Sequence, residues 1–104
     1  MGNFEKAVDF FERALYIYEN VLGAENKTTV RSYNNVGGCY SILKKHQKAL
    51  EFKKIALEIK IRMEGDENED VAWSYENISN EYSLLGKDEK AFSFKEKVFM
   101  PTLI

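Results

Sequence analysis

The sequence predicts an all-α solenoid of antiparallel helix pairs, about five helices in all, and three observations predict it. Fifteen residues between Asn3 and Lys44 recur identically 42 positions later, and a third copy starts at Lys87. Apolar residues step by three and four along each copy, the spacing of one helix face. Only a few residues separate one such stretch from the next, which makes neighbouring helices antiparallel. A period of this size marks a repeat whose units bury their apolar faces only against adjacent units. The units fall at about 3–44, 45–86 and a partial 87–104, within one domain spanning 1–104.

The first helix runs from Phe4 to Leu22, with Phe4, Ala7, Val8, Phe11, Ala14, Leu15, Tyr18, Val21 and Leu22 on its face. Phe10 and Ile17 add a second apolar strip, which predicts a helix wedged between two neighbours. Gly23 ends it through the left-handed conformation that caps helices. Asn26 caps the second helix, whose core face is Val30, Tyr33, Val36, Tyr40 and Leu43. The third carries Ala49, Leu50, Phe52, Ile55, Ala56, Ile59 and Met63, and Gly65 and Asn68 repeat the stop and the cap. Glu69 and Asp70 then sit in a first turn, where negative charge offsets the helix dipole. Val71, Tyr75, Ile78, Tyr82 and Leu85 face the core from the fourth helix; Gly86 turns the chain, and a fifth helix covers Asp88 to Phe99, with Pro101 blocking its continuation. Small residues at Ala7, Ala49, Ala91, Ala14, Ala56, Gly37 and Ser79 let paired helices approach closely. Gly38, about 100° round from Gly37, has no such reason and leaves room outside the helix.

These spacings resemble the tetratricopeptide repeat, in the 42-residue form of kinesin light chains. The run that carries the likeness is Gly65, Val71, Ala72, Asn77, Ile78, Tyr82, Gly86 and Ala91, preceded by Leu22, Gly23, Val30, Asn35, Val36, Tyr40 and Ala49. Val36, Gly37 and Tyr40 after paired asparagines are also similar to the repeats of G-protein-regulating polarity scaffolds. The family's His-Pro at the helix start is Asn26-Lys27 and Asn68-Glu69 here, and its aromatic before the alanine is kept by Phe4 but is His46 and Asp88 in the later copies. The resemblance therefore implies a right-handed superhelix of helix pairs and not a kinesin cargo. It further implies a non-enzymatic interaction module, an adaptor or scaffold that holds a protein or peptide in a concave groove lined by the first helix of each pair.

Carried onto this chain, that groove is the face opposite Tyr33, Val36 and Tyr40: Arg31, Asn34, Asn35, Gly38 and Ile42, then Trp73, Glu76, Asn77, Asn80 and Leu84. An asparagine amide offers donors and an acceptor, so it bonds a peptide backbone without reading its sequence. Arg31 suits a carboxylate. Trp73 suits a ligand side chain or cation, or else packing at a repeat junction. The family's clamp for chaperone tails needs a lysine where Asn34 stands and an asparagine where Gly38 stands, which argues against such tails.

Other constellations point to nothing sharper. The chain is 44% hydrophobic and 31% charged with a net charge of -2, so nothing attracts nucleic acid or an anionic membrane. No apolar run suits a signal peptide or a membrane span, and the single cysteine, Cys39, cannot form an internal disulfide; a reducing, cytoplasmic setting is expected. Gly2 lacks the Ser or Thr that myristoylation wants at Lys6. Asp66, Asn68 and Asp70 mimic a calcium loop, but Val71 and Asn77 replace its glycine and glutamate, so no metal and no cofactor are expected. Lys44, Lys45, Lys48, Lys53, Lys54, Lys60 and Arg62 read as a solvated convex stripe. His46 stands beside lysines without a nucleophile, Cys39 reads as a packing residue, and the Asn26 and Asn77 sequons carry no weight without secretion. The ends suggest the alternative function. Phe4, Val8 and Phe11 are expected to lack a helix partner, as are Phe99, Met100, Leu103 and Ile104, as in an excerpt of a longer array, or else a homodimer through these end helices would cover them.

Overall fold

Short polar caps and left-handed turns set the helix boundaries of this chain. The computed structural model describes residues 3–99, which form α1 (Asn3–Leu22), α2 (Lys27–Ile42), α3 (His46–Glu64), α4 (Glu69–Leu84) and α5 (Asp88–Phe99), with no strand among them. Gly23 and Gly65 end α1 and α3 at φ of 85° and 81°, a region that costs other residues roughly 1–2 kcal/mol. The Asn26 side chain accepts from the Thr28 N–H at 2.8 Å, and Asn68 from the Val71 N–H at 3.0 Å. Each bond satisfies a donor that the helix start leaves unpaired, typically stabilising by about 1 kcal/mol relative to alanine. The start of α3 is less well specified, because Lys45 makes no side-chain cap and Lys44 before it holds a φ of 64°. Its counterpart one repeat later is Gly86, at 77°.

Each helix packs chiefly on its sequence neighbours, so the core is a row of interfaces and not a single centre. Within each pair the same device recurs. The Phe52 ring sits beside Tyr33 and Tyr40, with centroids at 6.2 and 5.7 Å, and Phe94 sits beside Tyr75 and Tyr82 at 6.1 and 5.4 Å. Small residues bring the backbones together alongside the rings. A Cβ placed on Gly37 would lie 3.2 Å from the Ala49 carbonyl and 2.9 Å from Cγ of Lys53, while Ser79, one repeat on, donates its hydroxyl to the Ala91 carbonyl at 2.7 Å. Val8 and Leu15 join α1 to α2 through a cluster with Val30, Val36 and Ile59; Leu50 and Leu57 join α3 to α4 through Val71 and Ile78.

Three expectations change. The first helix is not wedged: Val8 is buried, whereas Phe10, Ile17 and Val21 stand 77%, 57% and 74% exposed, and of the expected end face Phe4 and Phe11 stay exposed at 46% and 36%. Helical periodicity shows two strips without saying which one has a neighbour. The basic stripe is not uniformly solvated. Lys53 is only 8% exposed and pairs with Glu81, and Lys60 bridges Glu64 and Asp70. His46 also has a partner, since its Nδ1 lies 2.8 Å from Glu81. Gly2, Pro101 and the apolar end at Met100, Leu103 and Ile104 lie outside the described residues.

Candidate interaction face

Burying the tyrosines of α2 and α4 turns a matched row of residues outward. Residues 42 apart occupy equivalent places: Arg31 and Trp73, Asn34 and Glu76, Asn35 and Asn77, Gly38 and Asn80, Ile42 and Leu84. None of these ten is buried, while Tyr33, Val36, Tyr40, Ile78 and Tyr82 on the opposite faces are.

Part of the row converges. A cleft of about 280 Å³ between α2, α3 and α4 is lined by Lys27, Val30, Arg31 and Asn34 on one wall, Ala56 and Lys60 on the floor, and Asp70, Trp73 and Ser74 on the other wall. Arg31, Asn34 and Trp73 are thus brought together; Asn35, Gly38, Ile42, Asn77, Asn80 and Leu84 share the two helices but do not line the cleft. Trp73 is 54% exposed and lines the cleft wall. The Lys60 ammonium lies 3.1 Å from Asp70 and 3.2 Å from Glu64. Burial lowers its pKa, but those two carboxylates outweigh burial and raise it, so Lys60 stays charged and neutralised. Lys27 and Arg31 enter no ion pair among the described residues, which leaves the cleft net positive. Such a site can hold a carboxylate on the guanidinium and shelter an apolar or cationic group against the indole.

Asn77 is spoken for. Its side-chain oxygen accepts from the Lys53 ammonium at 2.7 Å, and the same ammonium lies 2.7 Å from Glu81. Glu81 also accepts from the Ser41 hydroxyl at 2.7 Å and meets His46 at 2.8 Å, so one carboxylate ties α2, α3 and α4 together. Burial alone would raise the Glu81 pKa. The hydrogen bonds from Lys53, Ser41 and His46 and the charge of Lys53 outweigh it and hold the carboxyl below its ordinary range. The sequence did contain a signal for this seam. The counterparts of Lys53 and Glu81 in the preceding junction are Phe11 and Cys39, so charge replaces an apolar residue on both sides of one interface at once. Cys39 itself is buried, and burial pushes its thiol up, away from the reactive thiolate.

A family model described as tetratricopeptide repeat matches residues 1–62. No curated protein sequence matches the chain at a significant level. Among solved structures, BtubC (BKLC) from P. vanneervenii is similar in fold, with a TM-score of 0.74 at 24% identity over 99% of this chain. The match spans 43% of that protein's chain.

Proposed function

Because the chain belongs to the tetratricopeptide repeat family, we propose that it is a protein–protein interaction module that takes a peptide or extended segment along the outward face of α2 and α4. The observation that carries this is the convergence of Arg31, Asn34 and Trp73 on one net-positive cleft. Arg31 grips a carboxylate of the ligand, Trp73 covers the neighbouring side chain, and Asn34 bonds the backbone between them. Asn35, Gly38, Asn80, Ile42 and Leu84 continue the track beyond the cleft. An adaptor or scaffold role in a reducing, cytoplasmic setting fits a chain of this kind with one buried free thiol.

Trp73 is the only tryptophan, which makes the test direct. A random peptide library is panned against the chain, with the Arg31→Ala/Trp73→Ala variant as counter-selection. Selected peptides are expected to carry an acidic residue and to shift the Trp73 emission on binding. Peptides retained equally by the double variant would remove the cleft from the function.

A further inference from the structure

Tyr40 and Tyr82 occupy equivalent places in successive repeats, yet their hydroxyl groups end differently. Both residues are buried, and a lysine closes over each ring, Lys48 at 5.7 Å from the centre of Tyr40 and Lys90 at 5.7 Å from that of Tyr82. The Tyr40 hydroxyl donates to the Glu12 carboxylate at 2.9 Å. The residue equivalent to Glu12 one repeat later is Lys54. An ammonium only donates, so at 3.3 Å the Tyr82 oxygen accepts from Lys54, and its own proton meets no acceptor among the described residues.

Tyr82 borders a hollow of about 490 Å³ between α3 and α5 that Lys54, Lys87 and Lys90 also line. Lys54 and Lys90 both lie over the Tyr82 ring, at 6.0 and 5.7 Å from its centre. Glu51 and Glu58 line the same hollow, yet none of the three ammonium groups enters an ion pair among the described residues. Like charges gathered without a counter-ion repel one another, and a buried donor left without an acceptor is costly. One oxyanion answers both. Further repeats would not cover the place: Lys45 and Lys48, equivalent to Lys87 and Lys90, stay exposed although α4 and α5 follow them.

We infer that the hollow between α3 and α5 binds an acidic segment of a partner protein, with one carboxylate seated between the Lys54 and Lys90 ammonium groups and accepting from the Tyr82 hydroxyl. Glu12 makes that bond to Tyr40 from within the chain; at Tyr82 the partner supplies it. Three cations on two helices exceed what one carboxylate balances, so a run of acidic residues fits, with a second carboxylate on Lys87. No residue that lines this hollow lines the α2/α4 cleft, and the inference does not depend on the cleft.

The test uses the full chain carrying Arg31→Ala/Trp73→Ala, which removes any contribution of the cleft. A fluorescein-labelled hexaglutamate peptide is read by anisotropy at about 0.15 M salt, where attraction between exposed charges is largely screened beyond roughly 8 Å. Saturable one-to-one binding is expected, and none by hexaglutamine. Lys54→Glu restores the arrangement of the preceding copy and should abolish binding while the melting temperature holds or rises. Tyr82→Phe removes the hydroxyl alone and should weaken binding by at least about tenfold, with the fold verified by circular dichroism. Lys6→Glu makes the same change of net charge at an exposed position on α1 and should leave the affinity unchanged. Absence of saturable binding would overturn the inference, as would full affinity in Tyr82→Phe or in Lys54→Glu. A loss in Lys6→Glu as large as that in Lys54→Glu would overturn it too, since overall charge would then explain the attraction.

Discussion

An ammonium held between Asn77 and Glu81, with its alkyl stem passing over Gly37, cannot be removed without consequence for its partners. Lys53→Met alone leaves the Glu81 carboxylate buried and short of a counter-charge, which typically costs about 3 to 5 kcal/mol. Replacing both charges is different in kind, because the preceding junction already does without them at Phe11 and Cys39. The expected outcome is that Lys53→Met/Glu81→Leu recovers most of the loss, read as urea midpoints; a double variant as unstable as the sum of its singles would show that the pair is not one unit. The acid limb of stability follows from the same carboxylate. Its pKa is lowered in the fold, so its contribution is fully present above the ordinary carboxylate value of about 4.3 and is lost as pH falls through the depressed one. The destabilisation caused by Glu81→Gln should therefore shrink below about pH 4. At the alkaline end the sign reverses. Burial first, then hydrogen bonds to Glu19 and Glu12, push Tyr33 and Tyr40 up to about 12. Stability they confer is whole below about pH 10, where an unfolded tyrosine titrates, and is lost as pH rises through 12. A thermal-melt series from pH 9 to 12 should show the fall begin earlier for the original chain than for Tyr40→Phe.

At the scale of the helix, two adjacent glycines of α2 answer to opposite rules. Gly37→Ala puts a methyl group against the Lys53 stem and the Ala49 carbonyl, and overpacking of this sort typically costs about 1 to 3 kcal/mol. A Cβ on Gly38 meets nothing within 4 Å, so Gly38→Ala should instead stabilise, by about 0.5 to 1 kcal/mol from helix propensity. If the open space at Gly38 serves the ligand track, the stabilised variant binds its selected peptides more weakly; equal melting points for the two variants would contradict the helix orientation. The turn before α3 offers a parallel case, where Lys44→Gly should relieve the left-handed strain that Gly86 avoids one repeat later. Caps, stops, the tyrosine face and the small-residue crossing were legible because each is a local or periodic signal. The outward row from Arg31 to Leu84 was legible too, being the complement of the buried face. The Lys53–Glu81 seam left only a trace, a charge at both positions where the preceding repeat has Phe11 and Cys39, and no periodicity within a helix says that the two side chains meet. Nor did α1 show which of its strips was covered: periodicity ranks faces by hydrophobicity, and only the counterpart relation of Phe10 to Phe52 assigns each face a neighbour.

At the scale of the molecule, stability is distributed along a row in which each helix chiefly meets the next. In such an array, local opening should follow the number of covered faces. α2, α3 and α4 are each packed on two sides and are stitched by Ser41, His46, Lys53 and Asn77 around Glu81, whereas α1 and α5 each have one principal neighbour. Native-state hydrogen exchange is therefore expected to be slowest in the middle of α2, α3 and α4, and faster throughout α1 despite its length of 20 residues. Glu81→Gln should loosen the centre and bring the rates of α3 and α4 closer to those of the ends. Equal protection in all five helices of the original chain would mean that the row opens only as a whole, and that the seam at Glu81 couples the ends as tightly as it couples the middle.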